Sequence, residues 1–79
     1  MRYADGQEVR LGDRVRLGHD DGGRVVCSID TDDYSDECPE AEWSYLQSGV
    51  VIKFPLHGLI HFIEPEPDLE LIARAEDAI

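Results

Sequence analysis

Apolar and polar residues alternate over the first part of the chain: Val9, Leu11, Val15 and Leu17 are apolar, and Glu8, Arg10, Arg14 and Arg16 fall between them. A period of two marks a strand with one face in a core. Gly12-Asp13 offers that strand a turn or a bulge. The run Gly18-His19-Asp20-Asp21-Gly22-Gly23 is built of residues that accept tight reversals, and it predicts a hairpin loop. Arg24 to Ile29 reads as the second strand, with Val25, Cys27 and Ile29 on one face.

Beyond it the alternation stops. Residues 30–42 carry seven carboxylates (Asp30, Asp32, Asp33, Asp36, Glu37, Glu40, Glu42) and no basic residue, which predicts a long acidic insertion. Within it Pro39 suits a helix start, and Glu40 and Glu42 suit the positive end of the helix dipole. Trp43 and Leu46 stand three apart, so one helical stretch over about 39–46 lays both against the core. Alternation resumes in Val50 to Phe54 and in Leu59 to Ile63, around the turn Pro55-Leu56-His57-Gly58, which predicts a second hairpin. Glu64-Pro65-Glu66-Pro67 enforces an extended link. Leu69 to Ala73 then forms a last short strand or helical turn, and residues 74–79 fray or add one turn.

Five short strands with one insertion predict a single mainly β domain over residues 1–79: a small five-stranded barrel with one short helix or helical turn in the acidic segment. Closing such a barrel protects strand edges that a short chain has little means to cover. Gly12-Asp13-Arg14-Val15-Arg16-Leu17, followed by Gly22-Gly23-Arg24-Val25-Val26, resembles the hairpin of KOW-type and other SH3-like small barrels. The resemblance implies an SH3-like barrel and, for the KOW branch, binding of RNA or ribosomal proteins through a basic surface.

Charge changes that second implication. The chain of 79 residues has 18 acidic and 7 basic residues, a net charge of −11. Residues 1–26 are neutral, with five carboxylates matched by five arginines, so the whole net charge lies in residues 27–79. Such a field repels a phosphate backbone and favours a basic partner, so no nucleic acid is expected. A domain of this size buries roughly 60% of its unfolded surface, which excludes a large multilayer enzyme. Apolar runs such as Leu59-Ile60 are far below the ~20 residues of a membrane helix, and the first residues lack the apolar core of a secretory signal. The expectation is a cytoplasmic protein with no membrane partner; the oligomeric state is left open.

Three chemistries are weighed against the spacing. An EF-hand register from Asp30 puts Tyr34, Ser35 and Ala41 where an oxygen ligand, Gly and Glu are needed, so it fails. Cys27, Cys38, His57 and His61 supply zinc donor types without a Cys-x-x-Cys pair. Cys38 stands among carboxylates, which suppress a thiolate. No cofactor, metal or catalytic residue is expected, and Cys27 and Cys38 are expected as free thiols.

What remains is recognition. The string from Tyr3-Ala4-Asp5-Gly6 to Thr31, with Gly58-Leu59-Ile60-His61, is similar to small acidic bacterial proteins, and some acidic proteins of this size are immunity partners of toxins. That resemblance implies an immunity-type inhibitor occluding the basic active site of a cognate toxin. The candidate partner-binding residues are Asp30, Asp32, Asp33, Asp36, Glu37, Glu40 and Glu42, with Tyr34, Trp43 and Tyr45 as aromatic anchors. Trp43 is equally placed to fill the core. The alternatives are an SH3-like adaptor for a peptide or larger assembly and a metal- or thiol-dependent activity.

Overall fold

The strands are β1 (Arg14–Leu17), β2 (Asp20–Ser28), β3 (Val50–Phe54), β4 (Gly58–Phe62) and β5 (Leu69–Ala73), in a computed structural model that describes residues 1–64 and 66–74. All pair antiparallel in one sheet of order β4-β3-β2-β1-β5. β1 to β4 form a meander, and β5 returns to the free side of β1. The two edge strands curl around a common core: Ile60 and Phe62 of β4 and Leu69 and Leu71 of β5 join Val15, Val25, Val50, Ile52 and Phe54. Packing closes this curl, with no β4–β5 ladder among the described residues.

Two details of the strand pattern differ from the sequence reading. The first reversal is only Gly18-His19, and Asp20 to Gly23 already belong to β2. Asp20 is buried because its carboxylate accepts the backbone N–H groups of Leu56 (2.9 Å) and His57 (3.2 Å) and lies 3.0 Å from His57 Nδ1. The first hairpin thereby clamps the turn of the second. The other difference is a bulge between Val25 and Cys27. The extra residue, Val26, moves Val25 to the inner core and Cys27 to the opposite face, so Val25, Cys27 and Ile29 do not share one face.

The bulge gives the sheet a second, outer core. Val26, Cys27, Ile29, Cys38 and Val51 are buried there, with Tyr34, Trp43 and Leu46 packed over them. The insertion folds back to make this layer. Its helix α1 (Glu40–Trp43) follows Pro39 and runs into a 3-10 turn over Ser44–Leu46, which stops where Gln47 takes φ 69°. Trp43 and Leu46 therefore cover the outer face rather than the inner core.

The chain ends of the described fold meet on one carboxylate. Asp13 is fully buried where residues 10–13 turn into β1, and its Oδ2 accepts the Tyr3 hydroxyl (2.7 Å), the Arg10 backbone N–H (2.9 Å) and Arg74 Nη1 (2.8 Å). Arg74 also donates to the Glu8 carbonyl at 2.7 Å. Burial, reinforced by the adjacent Asp13 carboxylate, raises the Tyr3 phenol well above its ordinary range, so it remains a donor.

Arg74→Ala leaves Asp13 as a buried charge short of its only ion-pair partner among the described residues, and should destabilise the fold by about 3 kcal/mol. Tyr3→Phe should cost about 1 kcal/mol; urea unfolding measures both. Glycine 49 gives a separate expectation. Its φ is +92°, and a Cβ would lie 2.2 Å from the Phe62 carbonyl oxygen, whereas a Cβ on Gly18 (φ +61°) meets nothing within 4 Å. Gly49→Ala should lower stability by more than about 2 kcal/mol and Gly18→Ala by no more than about 1 kcal/mol in the same measurement.

Candidate functional site

The acidic insertion is fastened at its base and along its length. The Gly49 N–H donates to Asp30 Oδ1 at 2.9 Å, and Ile29 N–H returns to the Gly49 carbonyl at 2.9 Å, so the two ends of the segment lie together. Ser28 and Asp33 exchange backbone hydrogen bonds of 2.7 and 2.9 Å. Ser35 Oγ donates to the carbonyl of Val26, the bulged residue that the β3 ladder skips. With Tyr34, Trp43 and Leu46 on the outer core, the carboxylates are carried on a folded layer.

The ten residues singled out by sequence then divide. Asp30 also holds the Met1 ammonium; the Gly49 N–H first, and that ammonium second, keep its carboxyl below the usual range. Glu37 pairs with Arg24 and lies 3.6 Å from Lys53 Nζ, and the Arg24 guanidinium holds its carboxyl low. Asp33 accepts the Thr31 hydroxyl at 2.6 Å. Asp32, Asp36, Glu40 and Glu42 are exposed, with no side-chain hydrogen bond or ion pair among the described residues. Of the aromatics, Tyr34 and Trp43 are half-buried on the outer core, whereas Tyr45 is 72% exposed.

Cys27 and Cys38, eleven apart in sequence, are neighbours and both fully buried in the outer core. Burial first, then the adjacent Cys27 thiol, pushes the Cys38 thiol upward, so it is a poor nucleophile. The histidines lie elsewhere: His57 on Asp20 and His61 on the Ser48 carbonyl at 2.8 Å. The four residues weighed as zinc donors are thus not brought together, and among the described residues no three His, Cys, Asp or Glu side chains converge. No described helix is long and apolar enough to cross a membrane.

A second feature on the outer side of the sheet was not singled out from the sequence. Arg14 pairs in register with Arg24, and Arg24 with Lys53, so three cations stand side by side across β1, β2 and β3. They border a groove of about 630 Å³ lined also by Gly12, Gly22, Gly23, Phe54 and Pro55. Glu37 reaches this row from the insertion. The signal lay in the pattern, as Arg14 and Arg16 alternating on one strand, Arg24 on the next and Lys53 on a third, and it needed the register to become a site.

The carboxyl of Asp20 is held below its ordinary range: burial opposes ionisation, but the N–H of Leu56 and the side chain and N–H of His57 outweigh it. A carboxyl depressed in the folded state stabilises above its unfolded pKa of about 4 and loses that contribution as pH falls through the lower folded value. Relief of net negative charge on acidification acts on wild type and variant alike. The stability gap between wild type and Asp20→Asn, read from urea unfolding, should therefore be larger above about pH 4 than below it.

The chain matches no protein-family model, no curated protein and no solved structure.

Proposed function

We propose that the protein is a non-catalytic binding protein that offers an anionic face to a basic protein partner, most concretely as an immunity-type inhibitor occluding the basic active site of a cognate bacterial toxin. The observation that carries this reading is the folded state of the insertion. Asp32, Asp36, Glu40 and Glu42 project from a segment closed at its base by Asp30 and Gly49 and backed by a core, with Tyr45 exposed beside them. A surface ordered before contact avoids much of the entropy lost when a loop is fixed on binding. Unpaired carboxylates on it attract a cationic partner over a Debye length of about 8 Å. They take the positions that a polyanionic substrate occupies in a basic active site.

The packing also supports a division among the aromatic anchors. Tyr45 is the aromatic of the three most available for insertion into a partner's pocket, and Tyr34 and Trp43 act by holding the face in shape. The burial of both thiols and the raised Cys38 thiol support the non-catalytic side of the reading.

Co-expression with the product of the adjacent gene tests it: restored growth and a co-purifying complex are expected. In that complex, replacing Asp32, Asp33, Asp36, Glu40 and Glu42 by Asn or Gln should slow association at least about tenfold at low salt, read by stopped flow. A loss smaller than about threefold would overturn steering by this face.

A further inference from the structure

We propose that the groove over β1, β2 and β3 binds a small ligand that joins a carboxylate or phosphate head to an apolar body, with Arg14, Arg24 and Lys53 holding the head and Glu37 acting as a built-in competitor. The register is the first ground. Residues directly opposite on antiparallel strands have Cβ atoms about 5 Å apart, and like charges placed so repel. Arg14, Arg24 and Lys53 are two such pairs in succession, on an otherwise anionic molecule. A row of this kind is stable when an anion is shared along it.

The second ground is that the fold shows such sharing, incompletely. Glu37 gives one oxygen to Arg24 and the other to Lys53, the geometry of a carboxylate ligand bridging two cations. Arg14 has no carboxylate partner among the described residues. Among the described residues three cations therefore face one carboxylate, and the Arg14 end of the groove is where an external oxyanion fits.

Shape supplies the third ground. A Cβ on Gly22 would lie 2.5 Å from Pro55 Cγ, and one on Gly23 would lie 2.5 Å from Phe54 Cε1. Glycine at position 23 admits the buried Phe54 ring beneath β2, and glycine at position 22 lets the exposed Pro55 ring rest directly on the strand, which puts an apolar surface beside the cations. A groove of about 630 Å³ matches a small molecule. The net charge of −11 sets the class: it repels a long polyanion along most of its length, while a ligand with one or two charges meets chiefly the local row. A single-stranded oligonucleotide is accordingly the competing occupant to test.

Phenylacetate and phenyl phosphate are suitable probes, titrated into the full chain and followed by amide NMR shifts, with unfolding curves confirming that each variant is folded. Shifts are expected at Gly12, Arg14, Gly22, Gly23 and Arg24, and the tighter probe identifies the head group. Glu37→Gln should tighten binding about fivefold by removing the competitor, whereas Arg14→Gln should weaken it about tenfold. Lys53→Met should also weaken binding, and Glu64→Gln, at an exposed position outside the groove, should leave it within twofold of wild type. Binding of neither probe by both wild type and Glu37→Gln overturns the proposal. So does an affinity unmoved by Glu37→Gln and Arg14→Gln, or a tighter hold on oligothymidylate than on phenyl phosphate. None of these outcomes depends on a toxin partner, so this site and the acidic face stand or fall separately.

Discussion

The buried Asp13 carboxylate is the constraint on which the arrangement of the molecule rests. A five-stranded sheet whose last strand returns beside its first has to fix three separated pieces of chain: the amino-terminal segment, the start of β1 and the end of β5. Asp13 does this with a single oxygen, which takes Tyr3, the Arg10 N–H and Arg74. Its other oxygen, Oδ1, is buried with no hydrogen-bond partner among the described residues. A buried pair of this kind adds little net stability over a well-packed apolar substitute, but breaking it is costly. Its value here lies in specifying which ends meet. Val9, Tyr3 and Leu69 can then join the inner core as one set with the strands.

A second constraint follows from the two faces of the sheet. The inner core of the described residues is small, and the sheet gains a further buried layer by using its other face. The Val26 bulge makes that possible by turning Cys27 outward while Val25 stays inside. The outer face is then shared. The insertion covers Val26, Cys27 and Val51, and the neighbouring part, where Arg14, Arg24 and Lys53 stand in register, forms the groove. Glu37 lies at the border and ties the two regions together. Opposite charges thus occupy adjacent parts of one face, so the net charge alone describes neither.

Much of this was legible in the chain. Alternation located the strands because each has one face in a core, and the Pro39 start with Trp43 and Leu46 three apart located the helical turn. The bulge was not legible, since Val25-Val26-Cys27 alternates equally well in either register and only pairing with β3 decides it. Asp20 read as a loop residue because Asp favours turns; its burial depends on donors from Leu56 and His57, thirty-six and thirty-seven residues away. The same limit applies to the sites. The acidic segment stood out by composition, but the occupation of Asp30 by Gly49 and of Glu37 by Arg24 is a matter of tertiary contact. The cationic row was hidden by the neutral sum of residues 1–26, in which five carboxylates offset the five arginines.

The pin between Asp30 and Gly49 has a consequence for how such a protein can change. Between those two fixed points the described contacts with the sheet run through the Asp33 backbone, the Ser35, Glu37 and Cys38 side chains and the half-buried Tyr34, Trp43 and Leu46. Every other position of the segment can diverge without disturbing strand pairing. The segment is thus a cassette whose exposed positions can be exchanged on an unaltered frame.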